Sequence, residues 1–296
     1  MGWFDGFEWR SHEVGDTQIM ARSGGRRDGP ALLLLHGFPQ THVMWHRVAQ
    51  ALAGRYFIVM PDLRGYGDSA KPPSTPDHAP YSKRAMAQDM VNLMHGLGHE
   101  RFFLCGHDRG GRVSHRLAVD HPARVARLCV LDIAPTLDMY EATDMGFAQS
   151  YYHWFHLIQP APLPERMIGG NALFYLHAKL GGWSGHGMAC LEPEAVQEYE
   201  RCFRAETIHA MCEDYRASAG IDLEHDRASR AAGRKVDCDM LVLWGDRGRV
   251  HRHFKPLDLW RAQCAGSVTG EPVPAGHFIP EELPDLTAQR LAEFFL

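Results

Sequence analysis

Residues 101–107, RFFLCGH, run without a break into Asp108-Arg109-Gly110-Gly111 and then into a helical stretch that closes at Asp120, just ahead of Pro122. A buried strand that turns straight into a helix needs small residues where the two elements cross, and Gly106 and Gly110 stand two places before and two places after Asp108. The residue at the apex of such a turn is lifted above the end of a sheet. The surrounding pattern agrees with a parallel α/β arrangement. Two alternating segments near 7–14 and 17–22 read as an antiparallel hairpin, and ALLLLHG at 31–37 reads as a buried strand. A helix near 43–52, a strand at 56–61, a helix across 82–97 and a strand at 126–133 complete an alternation that places helices on both faces of a mostly parallel sheet.

Between about residues 136 and 233 the strand signal disappears, and the chain becomes helical, aromatic and rich in His, Met and Gly. Alternation resumes with MLVLWG at 240–245, a helix near 256–263, a short strand ending at Pro274 and a closing helix near 286–295. Both flanks are needed to complete one sheet, so the segment is read as an insertion over the strand ends. The expected division is a first core part at 1–135, a helical cap at 136–233 and a second core part at 234–296. A length of 296 residues suffices for one core with such an insertion. Hydrophobic residues at 45% and charged residues at 23% describe an ordinary globular chain. A net charge of -5 with no long run of one sign argues against nucleic acid or a membrane surface as partner, and a small anionic substrate would need its own local cations. The seven cysteines include no C-x-x-C pair, and Cys105, Cys129 and Cys238 lie in apolar runs, so they read as reduced core thiols. The start, MGWFDGFEWR, has no apolar run long enough for a leader, and no stretch reaches transmembrane length, so a cytoplasmic location is expected.

Asp before a helix is ordinarily a capping residue. Three other landmarks argue that Asp108 is instead a nucleophile. His36-Gly37-Phe38-Pro39 follows a buried strand at the place where α/β-hydrolases keep one of two oxyanion-hole amides, here the N–H of Phe38, the other being the N–H of Arg109. Asp62-Leu63-Arg64-Gly65-Tyr66-Gly67-Asp68-Ser69 resembles a structural turn of the same superfamily. Ala275-Gly276-His277-Phe278 follows the last strand, in the order nucleophile then histidine that this fold requires. A carboxylate at the apex can displace a leaving group from saturated carbon and become an ester, which water deprotonated by His277 then hydrolyses. That chemistry is dehalogenation or epoxide opening, not serine esterase action. For the acid that orients His277, the candidates are Asp132 and Asp246. Members that place the acid after the later strand read GD-x-D with the second aspartate catalytic, and here that place is Gly248, which leaves Asp132.

On these motifs the chain resembles, over essentially its whole length, the fluoroacetate (haloacetate) dehalogenases of the α/β-hydrolase superfamily. His107–Arg112, HDRGGR, carries arginine where epoxide hydrolases usually have tryptophan, and YHWF at 152–155 falls where that family keeps its halide-binding pair. The resemblance implies an α/β-hydrolase fold with a mostly parallel eight-stranded sheet and an inserted helical cap. It further implies halide binding by His153, Trp154 and Tyr215, a homodimer, no cofactor, and conversion of a small anionic 2-halo acid to 2-hydroxy acid plus halide. The residues add an argument of their own. Arg109 and Arg112 lie in the first turn of a helix, where cations oppose the macrodipole unless an anion neutralises them, and a substrate carboxylate would fit that guanidinium pair.

Other histidines are weaker signals. His42 and His46, and His251 and His253, lack partners of metal-ligand spacing and are expected to be surface residues; no metal is expected. Trp183 could be pocket wall or plain cap core. Two further readings stay open: an epoxide hydrolase, for which Tyr151, Tyr152, Tyr175 and Tyr215 supply phenols, and a catalytically silent binding protein on the same fold.

Overall fold

A computed structural model describes residues 2–295. Eight strands form one sheet in the order β1-β2-β4-β3-β5-β6-β7-β8. They are β1 (Phe7–Glu13), β2 (Gln18–Gly25), β3 (Ala31–Leu35), β4 (Phe57–Pro61), β5 (Phe102–His107), β6 (Val125–Leu131), β7 (Met240–Gly245) and β8 (Val268–Val273). Only β1–β2 and β2–β4 pair antiparallel; all the other neighbours are parallel. The continuous apolar runs follow from this, since a strand covered on both faces has no polar side to show. Leu32 to Leu35 are fully buried, each contributing roughly 1.5–3 kcal/mol relative to exposure.

Helices α1 (His46–Leu52), α2 (Lys83–Gly96) and α3 (Arg109–Asp120) connect the early strands. Between β6 and β7 the chain runs through α4 (Thr136–Glu141), α5 (Met145–Ser150), α6 (Tyr152–Leu157), α7 (Leu163–Gly169), α8 (Ala172–Trp183), α9 (Pro193–Cys202), α10 (Ala205–Ala219) and α11 (Ile221–Ala231), with no strand among the described residues there. After β7 come α12 (Arg249–His253), α13 (Pro256–Gln263), α14 (Ile279–Glu282) and α15 (Pro284–Phe294). Among the described residues no helix is long and apolar enough to cross a membrane. All seven cysteines are free; Cys238 lies just outside β7 and is only partly buried, so its place in a strand is corrected.

The chain lays β4 on one side of β3 and then returns to lay β5 on the other. Where strand order reverses in this way, the connections leaving the two strands part and open a crevice beyond their carboxyl ends. Phe38 follows β3 and Asp108 follows β5 at that crevice, with Leu35 in register with Gly106. The turn after β4 is tied down by buried Asp62, whose carboxylate accepts from the amides of His42 and Asp68 and faces His42 Nδ1 at 2.8 Å. His42 and His46 are thus buried rather than surface residues, which corrects the expectation for them: His42 has an aspartate partner 20 positions away in sequence, and His46 stacks on Trp3 at 4.3 Å.

Candidate active site

Asp108 sits at φ +46° and ψ −112°. A side-chain-bearing residue held there costs about 1–3 kcal/mol, so the surrounding structure must enforce it. A Cβ on Gly106 would run into the Gly110 carbonyl oxygen, and one on Gly110 into the His36 carbonyl, so strand and helix cross only because both are glycine. Although Asp108 immediately precedes α3, its carboxylate takes no hydrogen bond from that helix. Capping is therefore not its role. Its Oδ1 accepts from the Phe38 amide at 2.9 Å, and its Oδ2 stands 3.8 Å from His277 Nε2. Burial would raise the Asp108 carboxyl, but the charges of His277, His107, Arg112 and Arg109 outweigh it and hold the group below the usual carboxylate range. The Arg109 amide opens α3, where no intrahelical acceptor exists for it.

His277 follows β8, and its Nδ1 lies 2.6 Å from Asp132 Oδ2. Asp132, after β6, is buried at φ +50°, and its other oxygen accepts from the Gly245 amide at 3.0 Å. Asp246 is exposed, with Arg247 its nearest cation at 3.9 Å. A Cβ at Gly248 would stand 3.2 Å from Asp132 Oδ1, so the two alternative acid positions converge on one spot.

A narrow cavity of about 10 Å³, roughly room for one water, joins these groups to the cap, lined by Phe38, Asp108, His277, His153, Tyr215 and Trp183, with Pro39, Phe278 and Lys179. A larger concavity of about 540 Å³, around Trp3, Trp9 and Arg22, holds none of the groups just described. Trp183 is a wall of the site: its ring lies 5.0 Å from that of His277, whose amide it fixes through its own carbonyl at 2.9 Å. His153 Nδ1 and the Tyr215 hydroxyl are buried without a hydrogen-bond partner among the described residues. Burial, then the nearby cation Lys179, pushes the His153 imidazole well below its ordinary value, so it is neutral and offers one N–H. Trp154 is buried one layer back, its ring 4.7 Å from the Arg112 guanidinium.

Both arginines are buried behind that wall. Arg109 packs on the Tyr215 ring at 4.1 Å. The anion that neutralises it is supplied by the protein: Arg109 donates through Nε and Nη2 to the two oxygens of Asp214, at 2.8 and 2.7 Å, and Asp214 also takes Lys83 and the Tyr66 hydroxyl. Among the described residues Arg112 has no such partner; it donates to Thr136 Oγ1 at 2.9 Å, and its buried Nε has none there. The sequence reading missed Asp214. A signal existed, since Lys83, in the first turn of α2, opposes that helix's macrodipole as Arg109 does that of α3, and two buried cations at helix starts call for a shared anion. Of the four tyrosines weighed for epoxide opening, only Tyr215 lines the cavity; Tyr152 is half exposed. His251 is exposed, as expected, and His253 partly buried, its Nε2 2.9 Å from Ser150 Oγ. Among the described residues no group of three His, Cys, Asp or Glu side chains is placed to hold a metal ion.

Residues 30–284 match the model of the alpha/beta hydrolase fold family. The chain is 48% identical over 292 residues to a fluoroacetate dehalogenase of a Burkholderia species, covering 98% of this chain and 94% of that protein. It is 30% identical over 276 residues to a soluble epoxide hydrolase of a Corynebacterium species, covering 90% of each. A solved structure from a Nostoc species, described as an alpha/beta hydrolase, superposes with a TM-score of 0.95 at 50% identity over 99% of both chains.

Proposed function

Because this chain belongs to the α/β-hydrolase fold family, whose members differ in what they do with one scaffold, we propose on the chemistry of its own site that it hydrolyses a small 2-halo acid such as fluoroacetate. The products are the 2-hydroxy acid and halide. The observation that carries this reading is the pairing of an ionised, buried Asp108 with donors that have no partner among the described residues, His153 and Tyr215, on the cap side of one small cavity. Buried polar groups left unpaired cost about 1–3 kcal/mol each, which is recovered when a ligand takes their hydrogen bonds. The 48% identity to a fluoroacetate dehalogenase supports the same reading.

In this mechanism Asp108 Oδ2 attacks the α-carbon and the carbon–halogen bond breaks toward the cap. His153 and Tyr215 donate to the departing halide, with Trp154, the third residue expected there, packed one layer behind them. Oδ1, held by Phe38, becomes the carbonyl oxygen of the aspartyl ester. Water deprotonated by His277 adds to that carbonyl, the Phe38 and Arg109 amides stabilise the oxyanion while Asp132 steadies the imidazolium, and collapse breaks the bond from the carbonyl carbon to Oδ2, the departing hydroxy acid taking the proton back from His277 and Asp108 returning to a carboxylate that keeps the water oxygen. Arg109 and Arg112 hold the carboxylate, through the donors that Asp214 and Thr136 leave free. The test is halide release: fluoroacetate and chloroacetate are expected to be hydrolysed, while chloroacetamide, which lacks the charge, and styrene oxide are not. Diol from styrene oxide without halide from either acid would favour an epoxide hydrolase, which the 30% identity keeps as the second reading.

Fluoride leaves poorly and depends on hydrogen bonds as charge develops on it, so removing a donor should discriminate between leaving groups. Tyr215→Phe and His153→Ala are expected to slow fluoroacetate at least about tenfold more than bromoacetate, the worth of one charge-assisted hydrogen bond. Equal losses on both would make these residues pocket walls only. We further propose a homodimer, supported by the apolar side chains that α7 and α8 leave exposed, Leu163, Met167, Leu173 and Phe174; a monomer mass in sedimentation equilibrium would remove it.

A further inference from the structure

Lys179, on α8, is the only lysine or arginine among the residues that line the cavity. Its side chain is buried, yet among the described residues it has neither a carboxylate partner nor a hydrogen bond. Instead the ammonium lies over the ring of Tyr152, 3.7 Å from its centroid, and 5.4 Å from that of Tyr175. Tyr152 is itself half exposed, so the charge sits between the molecular surface and the reaction chamber. Aromatic faces compensate a buried cation only in part, and burial without a counter-ion is costly enough to push the group toward neutrality.

The two arginines cannot do what this lysine can. Arg109 is already matched by Asp214, and neither arginine is among the residues that line the cavity, each being packed on an aromatic ring, Tyr215 or Trp154. An anion approaching the chamber therefore meets the negative charge of Asp108 with one uncompensated cation in view. We infer that Lys179 is the residue that draws the substrate's carboxylate into the cavity and passes it to the arginines, a specificity-determining cation for small carboxylates. This inference rests on the reading of the site as one for an anionic acid.

The charged and titratable groups around it are consistent with that role. Arg249 of α12, placed over Trp183 at 4.2 Å, is the one charge that shifts it, and His153 of α6, Tyr152 and Tyr175 complete the surroundings, with Asp108 and His277 on the opposite side of the cavity. Burial first, and Arg249 second, bring the Lys179 ammonium down to about 7, so an arriving carboxylate would restore the proton that burial disfavours.

The experiment compares the unaltered enzyme with Lys179→Met and Lys179→Arg in two assays: chloroacetate turnover at rising ionic strength, and equilibrium dialysis of acetate, a carboxylate that cannot react. Lys179→Met is expected to raise KM and the acetate Kd about tenfold or more, with kcat changed less than about threefold, and to flatten the salt dependence of kcat/KM. Lys179→Arg, which keeps the charge, is expected to recover most of both losses. Unchanged KM and acetate Kd in Lys179→Met would overturn the inference, as would a loss that Lys179→Arg shares in full. If the unaltered enzyme binds acetate through Lys179 but releases halide from no halo acid, the dehalogenase reading fails and the lysine's role stands.

Discussion

His277→Asn is expected to release halide in a single burst equal to the enzyme present and then stop, with the carboxymethyl group of the substrate retained as an ester on Asp108. The geometry gives the reason. Asp108 Oδ1 is occupied by the Phe38 amide, whereas Oδ2, which takes no hydrogen bond among the described residues, stands 3.8 Å from His277 Nε2. Alkylation needs only the carboxylate; hydrolysis of the resulting ester needs a base to activate water, and His277 is the imidazole on that side of the cavity. Steady turnover should fall by at least ~10³-fold, as it does when a member of such a catalytic unit is removed, and Asp108→Ala should abolish the burst as well. Intact-mass measurement of the trapped enzyme reads the ester directly. In oxygen-18 water, one turnover of the unaltered enzyme should place label in the peptide carrying Asp108, because water attacks the enzyme's carbonyl carbon. Label in the first-turnover hydroxy acid instead would mean that water attacks the substrate and that Asp108 is not the nucleophile.

Asp132→Asn is expected to lower turnover by ~10³–10⁴-fold, on the scale of losing the acid that fixes a catalytic histidine's tautomer. Asp246→Asn should stay within about threefold, the usual range for an exposed side chain away from the site. Asp132 lies 2.6 Å from His277 Nδ1 and is anchored by the Gly245 amide, so His277 keeps its Nε2 toward Asp108 and the ester. An asparagine oriented by the same amide would present either an NH₂ that cannot accept from Nδ1 or an oxygen without the charge that stabilises the imidazolium. Because a Cβ at Gly248 would fall 3.2 Å from Asp132 Oδ1, Gly248→Asp added to Asp132→Asn should restore part of the loss. A severe defect in Asp246→Asn together with a mild one in Asp132→Asn would move the acid to β7.

Much of this site was legible in the chain because its chemistry is local. The elbow needs glycines two places either side of Asp108, and the oxyanion and histidine motifs each follow a strand directly, so short-range constraints leave a pattern in neighbouring residues. The apolar runs of β3, β5, β6 and β7 likewise betray a sheet covered on both faces. Even the choice between Asp132 and Asp246 could be argued from what stands at position 248.

Contacts between distant residues left no such trace. The helix-dipole argument foresaw that Arg109 needs an anion, but not that Asp214, 105 positions away, supplies it. His42 looked like a surface residue because its partner, Asp62, comes from another turn. The cap shows the same divide. Its tyrosines, histidines and tryptophans read alike as an aromatic cluster, and nothing in their order distinguishes Tyr215, whose hydroxyl is left without a partner at the cavity, from Tyr199, whose hydroxyl donates to Glu281. Lys179 is the sharpest case, an unremarked lysine in a helix until folding buries it at the cavity's edge without a counter-ion among the described residues. The sequence alone determined the scaffold and singled out Asp108 and His277 as the candidate pair, because a turn's sterics and a strand's burial act between neighbours in the chain. Only the tertiary structure decided which buried charges are compensated and which donors stay free, because a charge pair or an unpaired hydroxyl is set by proximity in space, where the low dielectric of the interior makes each partner, or its absence, energetically decisive.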